Sequence, residues 1–195
     1  MVRPEANRLT TERLLLRPYW EDDWEAVHGY ASDPEVTRFQ AWGPNTEEET
    51  RHFVRQALRE NAQPERVAYH FAIVLRGVGG GSLIGGCTLR ITDPVLREAM
   101  IGYTLASRFW NQGYTTEAAA ALLRLGFEDL RLHRIVSWCT PENVGSWRVM
   151  EKIGMRREGH EREAAFFKGR WHEWLRYALL EHEWRRAASG DGGRS

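Results

Sequence analysis

A short polar segment between an apolar stretch and a helical run carries the strongest chemical signal in this sequence. The segment spans residues 106–118 and includes Gly113, and the stretch before it, residues 100–105, alternates as a strand does. The Ala- and Leu-rich run after it has helical spacing. A glycine-containing turn from a strand into a helix presents backbone N–H groups and the positive end of the helix dipole. Such a turn suits phosphate, although an ordinary strand–helix turn has the same pattern.

Other patterns that would indicate chemistry are incomplete. The glycine-rich stretch 76–82 is typical of a hairpin loop; it lacks the last glycine of a dinucleotide fingerprint and the Lys-Ser/Thr of a P-loop. Residues 172–176 lack the second histidine of a zinc protease motif. The sequence has no Cys/His cluster with zinc spacing and no Gly-x-Ser-x-Gly elbow. We therefore expect no metal.

Composition narrows the class of protein. The chain has 195 residues with 27 basic and 27 acidic side chains, and no dense basic stretch indicates nucleic-acid binding. Its apolar runs are too short to span a membrane, and its N-terminal residues lack the apolar core of a signal peptide. We expect one domain over residues 1–186 and a disordered tail over residues 187–195.

The two cysteines indicate a compartment. Cys87 and Cys139 each lie within a predicted strand. Two buried thiols fit a reducing cytosol better than a disulfide framework. We therefore expect a cytoplasmic protein.

Strands and helices alternate along the sequence. A first strand is predicted over residues 9–17, then a helix over residues 23–30 capped by Asp22, then a helix from a Thr46–Glu49 capping box to about residue 60. Further strands are predicted over residues 68–75, 83–91, 99–105, 134–139, 155–160 and 171–180, with helices over residues 116–130 and 143–154. This order predicts a mixed α/β domain with the Gly113 turn at the end of one strand.

Three segments resemble the GNAT N-acetyltransferases, especially the Rim-type branch that acetylates protein N-termini. They are residues 11–17, 106–118 and 143–154, and the resemblance extends from Thr11 to Trp184. It implies the α/β (α+β) acyl-CoA N-acyltransferase fold, a twisted, mostly antiparallel mixed sheet with about four helices. It also implies an enzyme that uses acetyl-CoA as co-substrate and transfers acetyl to a primary amine.

By this resemblance, the turn binds the pyrophosphate of coenzyme A. The residues concerned are Asn111, Gln112, Gly113, Tyr114, Thr115 and Thr116. Gly113 lets the backbone approach closely, and the two threonine hydroxyls could cap the helix or contact phosphate. Asn111 stands where Rim-type members usually have glycine.

The strand before the turn has a second role by resemblance. In this family it diverges from the strand that corresponds to residues 134–139, and the gap admits the pantetheine arm. We expect backbone groups of Tyr103 and Leu105 to pair with that arm. Exposed N–H groups there would also polarise the thioester carbonyl.

The segment from Asn143 resembles the second cofactor segment of the Rim-type branch. Asn143 fits a helix N-cap and a pantetheine contact, and Ser146 lies one turn further along the same helix face. Many GNAT enzymes have a tyrosine that protonates the leaving thiolate where this chain has Met150. We assign a catalytic hydrogen bond to sulfur to Ser146, with helix capping as the alternative for both polar residues.

Several side chains compete as the proton acceptor. An α-amine has a pKa near 8, so about a tenth of it is neutral at pH 7 and a weak base suffices. Glu98, at the start of the 99–105 strand, is our catalytic candidate, acting through water. A solvated turn residue is the alternative reading of Glu98, and His70 and His133 are further candidates.

The acceptor side of this fold comes from the first two helices and their connection. Phe39 and Trp42 are our candidates for substrate contact, because aromatic faces bind cationic amines, whereas we expect Trp20 and Trp24 in the core. The resemblance favours a protein N-terminus as acceptor, in a monomer or homodimer. The alternatives are a small amine, polyamine or amino acid, or a non-catalytic acyl-CoA sensor.

Overall fold

The computed structural model describes residues 8–77 and 81–188, which form one sheet with helices on both faces. The strands are β1 Leu9–Thr10, β2 Leu14–Arg17, β3 Ala68–Leu75, β4 Ser82–Asp93, β5 Glu98–Leu105, β6 Arg134–Cys139, β7 Arg156–Phe167 and β8 Arg170–Leu180. The helices are α1 Trp24–Ala31, α2 Pro34–Thr37, α3 Glu47–Asn61, α4 Tyr114–Arg124, α5 Val144–Lys152 and α6 Glu181–Ala188.

The strand order in the sheet is β1-β2-β3-β4-β5-β6-β8-β7. The neighbouring pairs are antiparallel except β5 and β6, which run parallel. The predicted mixed, mostly antiparallel sheet is therefore confirmed. The described residues hold six α-helices rather than about four, because Asp33 caps a single turn at α2 and α6 follows β8.

Two hydrophobic clusters lie on opposite faces of the sheet, and β3 contributes alternately to both. Ala72 and Val74 belong to one cluster, and Phe71 and Ile73 to the other, as the alternation of β3 predicts. The first cluster contains Val27, Tyr30, Val54 and Ala57 of α1 and α3. The second contains Ala118, Leu122 and Met150 of α4 and α5. We refer to these sides as the α1/α3 face and the α4/α5 face.

Of the two predicted helix caps, the structure contains the one at α3 and lacks the one at α1. The Thr46–Glu49 box is confirmed, since the Thr46 N–H donates to Glu49 Oε2 at 2.7 Å and Glu49 N–H donates to Thr46 Oγ1 at 3.3 Å. The expected Asp22 cap is wrong. Asp23 instead accepts from the Trp20 N–H at 2.7 Å, because it is also the buried partner of Arg17 at 2.6 Å.

The ends of several elements differ from the prediction. The 9–17 strand is split by a turn, so that β1 folds back on β2. The long central helix begins earlier, at Tyr114, and ends in a π-turn over Leu125–Asp129. Helix α6 runs to Ala188, past the predicted boundary at residue 186. Residues 189–195 of the expected tail, and 78–80 of the glycine-rich loop, lie outside the described residues.

Candidate active site

Strands β5 and β6 are joined at one end only. Their parallel register pairs Glu98 with Arg134 and continues to the pair Met100 and Val136. Beyond this point β5 continues beside β4 to Leu105, and β6 continues beside β8. We call the space between residues 101–105 of β5 and 137–139 of β6 the β5–β6 opening.

The backbone of β5 presents polar groups to this opening. Ser137 Oγ donates to the Ile101 carbonyl at 2.9 Å, and Trp110 Nε1 donates to the Leu105 carbonyl at 2.8 Å. The Ala106 N–H points the other way, to the Ile84 carbonyl on β4. Because N–H and C=O directions alternate along a strand, the N–H groups of Tyr103 and Leu105 face the opening. An extended chain that carries amides can pair with such an edge.

The turn at the end of β5 has the geometry of an anion site. Asn111 and Gly113 adopt φ values of 58° and 81°, and Gly113 is the N-cap of α4. Asparagine tolerates this left-handed conformation better than most residues, which explains its presence where the resemblance expects glycine. In the described chain no side chain caps α4, so neither Thr115 nor Thr116 does so. The first N–H groups of α4 therefore point to the turn without intrahelical acceptors.

Arg13, which lies just before β2, is a cation at this turn that the sequence analysis missed. Its Nη1 donates to the Gln112 carbonyl at 3.0 Å and its Nε to Glu117 Oε2 at 2.7 Å. Its guanidinium also lies 4.5 Å from the centre of the Tyr114 ring. A Cβ on Gly113 would lie 3.3 Å from Arg13 Nη2. No spacing rule could have paired residues so far apart in the chain.

Three polar side chains meet where α5 begins, next to the opening. The Tyr103 hydroxyl lies 3.3 Å from Ser146 Oγ and donates to the Ser146 carbonyl at 3.0 Å. Asn143 Oδ1 accepts from the Ser146 N–H at 3.3 Å, which confirms its capping role. Met150 is fully buried in the core. The structure therefore brings Ser146 together with the Tyr103 hydroxyl. The sequence predicts a role only for the backbone of Tyr103.

Burial controls the protonation of the groups beside Ser146. It raises the pKa of the Tyr103 hydroxyl, against a smaller opposing effect of the hydrogen bond with Ser146. Burial also raises the pKa of the Cys139 thiol to about 11, although hydrogen bonds with Ser146 and the Trp147 backbone act the other way. Both groups are neutral at pH 7, so Tyr103 is a hydrogen-bond donor and Cys139 is not a nucleophilic thiolate.

Glu98 is not brought together with these residues. It lies at the joined end of β5, about 23 Å from Leu105 at the usual rise per residue. Its carboxylate accepts from Arg134 Nε at 3.1 Å and from the Thr92 hydroxyl at 3.0 Å. The ion pair gives Glu98 a structural role, and its distance from the opening argues against a role as the proton acceptor.

The segment that carries Phe39 and Trp42 follows α2, which is held between the anion turn and the β7–β8 hairpin. Ser107 Oγ donates to Asp33 Oδ2 at 3.1 Å, and Lys168 Nζ donates to the Thr37 carbonyl at 2.7 Å. Trp42 is 39% exposed.

The other two tryptophans of this region are stacked by arginines. Trp20 is 55% exposed under the Arg17 guanidinium, so its expected place in the core is wrong. Trp24 is half-buried beneath Arg51, whose guanidinium lies 3.3 Å from the ring centre. Trp24 nevertheless packs against the hydrophobic cluster of the α1/α3 face, as expected, although it is only partly buried.

Residues 8–77 and 81–188, the described part of the chain, lack two features. They contain no cluster of three or more His, Cys, Asp or Glu side chains arranged to hold a metal ion. None of their helices combines the length and apolar character that crossing a membrane requires.

Comparison with known proteins identifies the family and agrees with the fold. Residues 13–156 match the family described as the acetyltransferase (GNAT) domain, so the chain belongs to the GNAT acetyltransferases. The uncharacterized N-acetyltransferase YnaD of Bacillus subtilis is 38% identical, over 90% of this chain and 98% of its own. A GNAT acetyltransferase structure from Bacillus anthracis is also 38% identical, with a TM-score of 0.79 over 90% of this chain and 99% of that one.

More distant relatives carry names that include their substrates. The ribosomal protein uS5-alanine N-acetyltransferase of Escherichia coli is 22% identical over 91% of this chain and 92% of its own. The spermidine N-acetyltransferase of Vibrio cholerae, solved with CoA and spermine, is 20% identical, with a TM-score of 0.76 over 90% of this chain and 99% of that one. This last likeness shows the shared fold alone.

Proposed function

We propose that the protein transfers acetyl from acetyl-CoA to a primary amine, preferably the α-amine of a protein N-terminus. The observation that carries this proposal is the β5–β6 opening, with strand N–H groups directed into it from β5 and the uncapped start of α4 at its end. An amide-bearing arm with a diphosphate at one end matches both features.

The cofactor contacts follow from this placement. The N–H groups around Gly113 and the Arg13 guanidinium hold the diphosphate, within the segment from Asn111 through Gln112 to Thr116. The N–H groups of Tyr103 and Leu105 pair with the pantetheine arm or polarise the thioester carbonyl. Asn143, at the start of α5, borders the same arm.

The chemistry is direct attack of the amine on the thioester. The Ser146 hydroxyl donates a hydrogen bond to the leaving thiolate, which needs little help because a thiol has a pKa of about 8.5. The Tyr103 hydroxyl, which donates to the Ser146 carbonyl, positions Ser146. A neutral, buried Cys139 argues against an acyl-enzyme. Positioning and carbonyl polarisation then supply most of the rate enhancement.

The aromatic residues that follow α2 bear on the class of acceptor. The aromatic rings of Phe39 and Trp42 suit a cationic amine, and an α-amine is more often neutral at pH 7 than a lysine. The Rim-type segments and the uS5-alanine relative favour a protein N-terminus, whereas the spermidine enzyme makes a polyamine the second candidate. Both cysteines are free, buried thiols, which fits a cytoplasmic location.

Calorimetry with acetyl-CoA, followed by thiol release against peptides with free N-termini, polyamines and amino acids, tests the proposal. We expect binding, and release with at least one acceptor, most rapidly with a peptide. Binding without release from any acceptor would favour a non-catalytic acyl-CoA sensor. No binding would overturn the proposal.

A further inference from the structure

One row of residues on the α1/α3 face ends at the β5–β6 opening. The register places His70 of β3 opposite Thr88 of β4, and Thr88 opposite Gly102 of β5. Opposed residues on antiparallel strands share a face, with Cβ atoms about 5 Å apart. The His70 ring contacts Glu60 of α3, so Thr88 and the bare side of Gly102 also lie on the α1/α3 face.

Hydrogen bonds connect α3 to Thr88 through this row. Glu60 Oε2 lies 2.9 Å from His70 Nε2, and His70 Nδ1 lies 3.1 Å from Thr88 Oγ1. The Asn61 amide accepts from the His70 backbone N–H at 2.9 Å and donates to its carbonyl at 2.8 Å. His70 is 8% exposed, whereas Thr88 is half-buried. A carboxylate, an imidazole and a hydroxyl in this order can move a proton from the hydroxyl to the imidazole.

The space beside Thr88 is open. A Cβ added to Gly102 would meet none of the described heavy atoms within 4 Å. The α4/α5 face of the same strand segment is filled, because Ile101 and Leu105 are 1% and 4% exposed and Met150 is fully buried. A substrate therefore reaches the opening from the α1/α3 face, above Gly102 and next to the Thr88 hydroxyl.

We infer that the space above Gly102 holds the acceptor amine and that Thr88, His70 and Glu60 relay its proton, an inference that rests on the proposed function. The amine nitrogen bonds to the thioester carbon, the carbon–sulfur bond breaks, and the nitrogen loses a proton to Thr88 Oγ1. The Thr88 hydroxyl gives its own proton to His70 Nδ1. The imidazolium stays paired with Glu60 until it returns the proton to water.

The charges around His70 suit a base at neutral pH. Burial lowers the pKa of His70 and Arg90 lowers it further, against the opposing effect of Glu60. Although its partial burial acts the other way, hydrogen bonds with His70, Gln56 and Arg90 lower the pKa of Glu60 to about 2. Glu60 of α3 and Arg90 of β4 are the charged groups described around the ring. At pH 7 the imidazole is neutral and the carboxylate is charged.

Thr88→Val tests the relay, because valine keeps the β-branched shape and loses only the hydroxyl. With an amine that the wild type acetylates, we expect kcat/KM to fall roughly 100-fold. The matched control Thr88→Ser keeps the hydroxyl and should retain activity to within about threefold. The Tm and the acetyl-CoA Kd of both variants should stay close to those of the wild type, which separates a lost proton path from a lost fold.

The pH profile distinguishes a relay from packing. For an α-amine, log kcat/KM falls with a slope of about one below the amine pKa near 8. In the wild type it falls with a slope of about two below the pKa of His70, which lies under about 6.5. Thr88→Val and His70→Gln should keep the shallower slope throughout.

Gly102→Val tests the location of the amine. The added side chain enters open space, so we expect it to raise the KM for the amine by about tenfold or more while the acetyl-CoA Kd is unchanged.

The outcomes are separable. Unchanged kcat/KM in Thr88→Val, or the steeper slope in that variant, would overturn the relay and leave acetyl transfer standing. A wild type that acetylates no amine would overturn the proposed function and the relay with it.

Discussion

The two ends of β5 differ in how their backbone groups find hydrogen-bond partners. At the joined end, backbone groups pair with β6, and Arg134 connects Glu98 on one side with Glu158 on the other. At the open end, Ser137 and Trp110 each satisfy one carbonyl, and the N–H groups of the same edge face the opening. Buried backbone groups require partners. The joined end supplies its own, whereas we propose that acetyl-CoA supplies them at the open end.

The largest expected effect on acetyl-CoA binding comes from a change at the open end, Gly113→Ala. An L-residue in the left-handed conformation costs about 1–2 kcal/mol, and the new Cβ would lie 3.3 Å from Arg13 Nη2. The turn must shift to relieve both, so we expect the acetyl-CoA Kd, measured by calorimetry, to rise about tenfold or more.

Gly154→Ala is the matched control for this substitution. Gly154 has a φ of 88° and no described atom within 4 Å of an added Cβ, so the backbone strain is similar and the anion turn is untouched. Its Tm should fall while its acetyl-CoA Kd stays at the wild-type value. An equal loss of affinity in both variants would mean that strain alone, rather than the turn, explains the result.

A smaller effect is expected from the two hydroxyls beside the opening. Ser146→Ala removes a donor to the leaving thiolate, and Tyr103→Phe removes the hydroxyl that positions Ser146. Each should lower kcat about three- to tenfold with little change in acetyl-CoA Kd. The double variant should lose less than the product of the two effects, because the hydroxyls lie 3.3 Å apart and act together. Full activity of both single variants would remove these side chains from the mechanism.

The smallest effect is expected at the joined end. Glu98→Gln breaks the pair with Arg134, whose side chain is 29% exposed; because Arg134 keeps Glu158, we expect at most about 1 kcal/mol of lost stability in denaturant unfolding. kcat/KM should be unchanged, since Glu98 lies away from the opening. A loss of activity at constant stability would restore Glu98 as a proton acceptor and contradict the contrast between the two ends.

Local patterns made the strands largely predictable from the sequence. The alternation over 68–75 gave β3 its bounds and faces, the Thr46 box gave the start of α3, and Gly154 gave the end of α5, where its φ is 88°. Each of these signals depends only on residues close together in the sequence, whose types favour one local conformation.

Contacts between distant segments could not be predicted in the same way. Arg13 reaches the anion turn, Asn61 and Glu60 of α3 organise His70, and the Tyr103 hydroxyl meets Ser146 only because α5 packs beside β5. The position of Glu98 before Leu105 in the sequence suggests a proton acceptor, but it does not show that Arg134 is its partner across the parallel pair. Residue spacing along one strand does not show which side chain of a neighbouring strand pairs with a carboxylate.

Amide hydrogen exchange by NMR at Tyr103 and Leu105, with and without saturating acetyl-CoA, tests the central claim most directly. If the opening accepts the pantetheine arm, both amides become strongly protected when acetyl-CoA binds, while those of Glu98 and Ala99 at the joined end do not change. Saturated protein in which Tyr103 and Leu105 exchange as fast as before would contradict this account of the site.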